Sequence, residues 1–576
     1  MNIKESYKIL FLFFNVLGVY YPALFAGINS VDDWRMLNDL ADTESIDFRQ
    51  LFGPSTGFYY RPLLMLSFFM DKLLWGLEPS FMHLESIMLH ACNTILVFFI
   101  AKQVCCKLTK DNLELPLLAA LFFALHPINT ESVNWISGRT DLLGAIFTLS
   151  STLLLLQCVA KRSFLLVIFS SVCLIFAIMS KETMLFFYPV GCGLLYFWPS
   201  LMAPPKPERN LRLKFILLFS LPFLIGGLLY LFFRIFLFSQ NDQGAHHLSN
   251  FPLNESFAFI ISAFKVFGFY IKKLFIPVPL NFAITKISSI YIWIGIASFA
   301  LSLFLIKKRA IFFLISFYLI VPAIIIALAG VTWTPIAERY LYLSSAFWSI
   351  GLAGVCFYFV NLGKKQKILT TLCIISVLLS STLITSNRNL QWQDNVKLYA
   401  DTILKNHDFT AINNEYAIAL IDAGQFAEAE KQLTDGINNP DNKSPLLYIN
   451  LARIKVAQNN PEEARQVLYR SFTTKEQAHP EVLKMLTNID EERIMNGDYT
   501  NESARRVLMM DLLDTYTLIY EKTKNPHAIY RYGQLALSIG LKADARAAFA
   551  SAYKEAPSDA HYKKAAGILA EKLKVN

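Results

Sequence analysis

Through the first two-thirds of the chain, apolar residues come in long runs separated by short polar clusters. Beyond about Ser386 the runs stop and the sequence turns charged and Ala-rich. A helix needs about 20 mostly apolar residues to cross a bilayer. Runs that meet or approach this length lie at 8–27, 84–104, 114–127, 140–160, 163–180, 183–199, 213–238, 288–306, 310–330, 340–361 and 367–386. They predict an all-α, polytopic bundle of about eleven spans. Two physical regimes in one chain imply at least two domains. The expected division is a transmembrane domain over 1–386, a bridging helix over 387–410 and a soluble helical domain over 411–576.

The polar clusters between the runs orient the bundle. Lys102, Lys107 and Lys110 follow the second run, and Lys161 and Arg162 the fourth. Lys206, Arg209, Arg212 and Lys214 follow the sixth, Lys307, Lys308 and Arg309 the eighth, and Lys364, Lys365 and Lys367 the tenth. With alternating spans, every cluster shares a side with Lys4 and Lys8, and a basic side is cytoplasmic. An odd number of spans then puts the N-terminus inside and the C-terminus outside. The first outer loop, 28–83, is long and holds Asp32, Asp33, Asp39, Asp42, Glu44, Asp47, Asp71 and Glu78. One apolar stretch, 256–280, breaks the alternation if counted. It carries Lys265, Lys272 and Lys273 and ends in Pro277 and Pro279. It reads as a re-entrant or interfacial segment on the outer side, with a twelfth span as the other reading. The first run, behind Lys4 and Lys8, reads as an uncleaved helix rather than a signal peptide, because a small-residue cleavage pattern is poor.

The polar third of the chain repeats itself. Ala429, Ala464 and Ala545 each follow an apolar helix and a turn (Ala423-Gly424-Gln425, Asn459-Asn460-Pro461 and Ile539-Gly540). The first two alanines are close to one tetratricopeptide period of about 34 residues apart. The longer gap to Ala545 leaves room for a degenerate helix pair at about 480–522. This predicts a short tetratricopeptide solenoid, whose concave face would take a peptide or protein. A generic helical bundle is the plainer reading.

Composition agrees with a membrane body. Of 576 residues, 54% are hydrophobic and 17% charged, and the net charge of +9 belongs to topology-setting loops rather than to nucleic-acid binding. None of the eight Cys lies in the soluble third, and no metal-ligand spacing occurs. His246 and His247 lack a carboxylate at ligand spacing, so no metal is expected. No phosphate-cradling glycine loop or nucleophile elbow is present, which excludes an ATP-driven pump and a Rossmann-type nucleotide-sugar enzyme.

Ionisable residues at an apolar boundary are the remaining chemistry. Asp32 and Asp33 follow the first run. Such a pair supplies a base of raised pKa, or is simply a solvated turn. His126, Glu131, Arg139 and Asp141 fall within sixteen residues between two runs. There Arg139 suits a phosphate, whereas helix capping and a structural Glu–Arg pair account equally for the stretch. Lys181-Glu182 and Glu338-Arg339 stand at further outer ends, either in the same site or as interfacial ion pairs. Tyr60-Arg61-Pro62 opens a short apolar run, 63–76, that reads as an interfacial helix.

In order and spacing these segments resemble the TMTC family, transmembrane proteins with tetratricopeptide repeats that are related to the protein O-mannosyltransferases. The resemblance rests on Asp32-Asp33 with Asn38 and Asp39, on Tyr59-Tyr60-Arg61-Pro62-Leu63, and on His83-Leu84 with Leu89-His90. It continues through His126 to Leu143, Ser180-Lys181-Glu182, Ala337 to Leu343, and Arg388-Asn389 with Trp392. Glu85, Asn129 and Asp141 depart from the family's Asn, His and Glu.

The resemblance implies a GT-C glycosyltransferase fold. It implies inverting transfer of a sugar from a polyprenyl- or dolichyl-phosphate carrier to Ser/Thr hydroxyls of exported proteins, outside the membrane. Carried over, Asp33 or Asp32 is the general base, and Arg139, Arg339 and Lys181 bind the donor phosphate. His126, Glu131, Asp141, Arg61, Glu182 and Glu338 shape the sugar or acceptor pocket. Lys272 and Lys273 line the lipid entry, and the repeats recruit the acceptor. The repeat array is shorter than in animal members. This suggests a bacterial inner-membrane protein with periplasmic repeats, or lumenal repeats in an endoplasmic-reticulum membrane if the source is eukaryotic. A same-fold enzyme acting on a lipid or polymer, or transferring a whole glycan, and a non-catalytic scaffold are the alternatives.

Overall fold

The computed structural model describes residues 3–41, 60–105, 114–202, 209–238, 256–330, 334–406, 411–439, 444–557 and 560–574. His246, His247 and the acidic residues from Asp42 to Asp47 lie outside the described residues. The described residues are helical, with no strand and one isolated bridge between Ile284 and Ile336. The chain divides into two compact units, Met1–His407 and Asp408–Asn576.

The first unit opens with α1 (Ile3–Tyr20), α2 (Asp33–Ala41), α3 (Pro62–Trp75), α4 (Pro79–Cys105) and α5 (Glu114–Ala124). It continues with α6 (Arg139–Lys161), α7 (Phe164–Ser180), α8 (Phe187–Met202), α9 (Arg209–Phe238), α10 (Ser256–Phe275) and α11 (Ile290–Lys308). It closes with α12 (Ile311–Tyr318), α13 (Val321–Ala329), α14 (Tyr342–Val360), α15 (Lys364–Trp392) and α16 (Asn395–Lys405). Eight of the helical stretches are long and apolar enough to cross a membrane. They are Ile3–Phe25, Pro79–Val104, Ile136–Cys158, Asn210–Ile235, Ile290–Lys308, Ile311–Ala329, Glu338–Val360 and Lys364–Trp392. The other three apolar runs form shorter helices, Glu114–Ala124, Phe164–Ser180 and Glu182–Phe197. Local chemistry explains the shortening. α5 stops before His126-Pro127, since the residue before proline disfavours helix. α6 ends in a left-handed Arg162, which turns the chain directly into α7.

The bundle core is formed by α1, α4, α5, α6, α7, α8, α9 and α14. The 256–280 stretch is an unbroken helix, α10, up to Phe275 and an extended strap beyond it. α10 runs antiparallel along α11, with Phe264 against Phe299 and Phe269 against Tyr291. Two glycines set the approach. A Cβ on Gly268 would collide with the Tyr291 carbonyl oxygen, and one on Gly295 with that of Phe264. Side chains at either position would push the backbones apart.

The second unit is a succession of helix pairs: α17 (Ala411–Asp422) with α18 (Phe426–Asn438), α19 (Pro445–Ala457) with α20 (Pro461–Tyr469), and α21 (Pro480–Asn496) with α22 (Glu502–Thr523). α23 (Pro526–Ser538), α24 (Lys542–Glu555) and α25 (Lys563–Lys572) complete it. Proline at the first helical position and asparagine caps at Asn460, Asn501 and Asn525 start these helices. Ala429, Ala464 and Ala545 are fully buried where paired helices meet. Gly424 and Gly540 take the left-handed backbone of the turns.

Candidate functional site

The ionisable residues singled out above gather at one end of the first unit, where α1 finishes and α6 and α14 begin. The acidic pair is split by its surroundings. Asp33 is buried, with three donors on its carboxylate: the Ser137 backbone N–H at 2.9 Å, the Asn29 N–H at 3.3 Å and the Ser137 hydroxyl. Burial pushes its carboxyl up to about 7, against the pull of those donors. Asp32 is exposed. It is still ringed by enough protein that burial raises its carboxyl, while Arg339 and Arg61 pull it back down.

Around Asp32 stands a set of paired charges. Arg339 donates to Glu131 through Nη1 at 2.5 Å and through its backbone N–H at 2.9 Å. Its guanidinium lies over the Trp135 ring at 4.7 Å and the Tyr340 ring at 5.0 Å. Lys181 binds Asp141 at 2.5 Å and also faces Tyr340. Glu182 takes two arginines, Arg61 at 3.0 Å and Arg234 at 3.3 Å. Pairing is what makes such burial tolerable, since an isolated charge here would be very costly.

Four expected residues are turned away from the mouth. Arg139 is fully buried, with Asp71 at 2.6 Å, Glu85 at 3.2 Å and the Met82 carbonyl at 2.9 Å. Asp71 sits inside the apolar helix α3, where the Arg139 guanidinium is its counter-charge. Glu85, where the resemblance departs, is the third member of this cluster. His126 is structural: Nε2 meets the Leu274 carbonyl at 3.0 Å, Nδ1 accepts from the Ile128 N–H at 3.2 Å, and the ring abuts Trp348. Glu338 and Lys273 form a buried pair at 2.5 Å, and Glu338 also accepts from the Asn281 N–H. Lys273 therefore anchors the strap after α10 instead of facing an open entry.

The sequence reading missed Ser137, Arg234 and Asn29 as partners. Arg234 was visible as a charge near the end of an apolar run. Ser137 and Asn29 carried no signal, because short polar residues in loops are ubiquitous. Among the described residues no group of three His, Cys, Asp or Glu is placed to hold a metal ion.

Fold and site together define a multi-pass helical membrane protein with a charged mouth at one end of its bundle. No family model matches the chain. Among curated proteins, it is 39% identical to the human protein O-mannosyl-transferase TMTC3 over 94 residues, which are 16% of this chain and 10% of that protein. It is 38% identical to human TMTC1 over 90 residues, again 16% and 10%. A longer match, 25% identical over 399 residues, joins 66% of this chain to 53% of the Caenorhabditis elegans protein O-mannosyl-transferase F38B6.6. The chain is TMTC-like in sequence, and the matches span from a tenth to about half of these relatives' length.

Proposed function

We propose that this chain is a GT-C-type membrane glycosyltransferase that moves a sugar from a polyprenyl-phosphate carrier to Ser/Thr hydroxyls of exported proteins, with inversion. The carrying observation is the exposed Asp32 within the field of Arg339 and Arg61. In this reading Asp32 is the general base and Asp33 the anchor that holds its loop. The acceptor oxygen attacks the anomeric carbon, its proton passes to Asp32, and the bond from that carbon to the phosphate oxygen breaks. The lipid phosphate departs as an anion. Cations aimed at a developing negative charge in a dry site are strong catalysts, and Arg339, Arg61, Lys181 and Arg234 supply them. Arg139 serves by holding α3 against α6.

The three short apolar helices join the eight longer ones as spans, giving eleven, with the basic loops cytoplasmic. The second unit acts as a tetratricopeptide solenoid outside the membrane and recruits the protein acceptor. The relatives' printed names, protein O-mannosyl-transferase, support the reaction class.

Intact-mass glycoproteomics of exported proteins tests this directly. Asp32→Asn, in a protein still inserted at wild-type level, is expected to abolish the added hexose. Unchanged glycan occupancy would refute the transferase reading in favour of a scaffold.

A further inference from the structure

The loop that carries Asp32 has almost no hydrogen-bonding ladder of its own. From Ala26 to Asn29 the backbone is irregular, and a turn follows at 30–32 before α2 begins. Backbone polar groups in such a loop need partners from elsewhere. Much of that support comes from the end of α15 and from α16, about 370 residues later in the chain. Gln393 Nε2 donates to the Pro22 carbonyl at 2.6 Å, and Asn395 Nδ2 donates to the Ile28 carbonyl at 2.9 Å.

Tyr399 reaches furthest into the loop. It is fully buried, with its ring against Phe282. Its hydroxyl donates to Asn29 Oδ1 at 2.9 Å and lies 3.0 Å from Ser30 Oγ. The same Asn29 Oδ1 accepts from the Val31 N–H at 3.0 Å, and the Asn29 N–H donates to Asp33 Oδ2. One phenol therefore fixes an asparagine whose side chain holds the Val31 N–H just before the acidic pair and whose own N–H binds the Asp33 carboxylate. Its position on a helix held by several independent contacts makes it a rigid support, the kind of outer contact that keeps a reacting group in register.

We propose that Tyr399 is a positioning residue that sets the place of Asp32 by clamping the loop through Asn29. The proposal rests on the reading of Asp32 as the base. Tyr399 itself touches neither sugar nor acceptor.

The test uses the full-length protein in detergent or nanodiscs and compares Tyr399→Phe, which keeps the ring, with the exposed control Lys397→Ala. Hydrogen–deuterium exchange is read on the peptide covering residues 26–34. Loss of the hydroxyl's hydrogen bonds to Asn29 and Ser30 in a local opening unit is expected to speed exchange at Asn29 and Val31 about tenfold or more. Exchange over 280–285 and the thermal midpoint should stay at wild-type values. Glycan occupancy on exported proteins should fall with Tyr399→Phe and not with Lys397→Ala. Unchanged exchange in 26–34 overturns the clamp whatever the activity does, and so does a uniform rise across the whole unit. Faster exchange confined to 26–34 supports the clamp. If that is seen while Asp32→Asn leaves glycosylation intact, the transferase reading fails and the clamp stands as the loop's anchor.

Discussion

At the residue scale, two adjacent aspartates have been given opposite environments, and their titration should separate them. Asp33 has its carboxyl pushed up to about 7 by burial, well above the ordinary value for aspartate. A raised value in the folded state means that folding favours the protonated form. The stabilisation is full below about pH 4 and is lost as pH rises through about 7. Thermal unfolding in detergent should therefore show stability declining across that window, and Asp33→Asn should flatten the slope. For Asp32, a base must be charged to act, so transfer should rise with pH through its raised value. Neutralising Arg339 with Gln removes a charge that holds that value down and should move the rising limb to higher pH. Arg139 makes a different prediction. Replacing it with Met leaves Asp71 buried without its closest cation and should cost about 3–5 kcal/mol of stability. The loss would appear as poor insertion or a lowered thermal midpoint, not as an altered pH profile.

At the element scale, the positions of the apolar runs were open to sequence reading, because hydrophobicity along a chain is a one-dimensional property. Helix ends were legible where a proline, a glycine or a charge marked them. What a side chain faces was not. Arg139 and Arg339 look alike in sequence, each beside aromatic and acidic neighbours, yet one is enclosed by Asp71 and the other borders the acidic pair. The difference arises from α3, whose Asp71 gives no sign in one dimension of which cation it will take. His126 was hidden for the same reason, since its partner is a carbonyl at the end of α10. In the second unit, Phe549 packs in the core beside Ala545 and Gly533. Phe549→Ala should cost about 3–5 kcal/mol there, read by chemical denaturation of the repeat unit.

At the scale of the whole molecule, the two units invite separation by experiment. Residues 408–576 have their own core and their own helix caps, so they should express alone as a helical protein that unfolds cooperatively. Deleting the same residues from the full chain discriminates among acceptors. Glycosylation of a protein acceptor should fall sharply, whereas transfer to a lipid or a short free peptide should continue. Equal loss of both would assign the second unit to assembly of the first rather than to recruitment.

The glycine contact between α10 and α11 has a consequence for traffic. In the proposed reaction, the polyprenyl tail of the donor must slip between two helices to bring its headgroup to the mouth. At Gly268 and Gly295 the two backbones touch so closely that even a methyl group would collide. No isoprene unit passes there. That flank is a welded seam, so the proposed donor would have to enter along another side of the bundle.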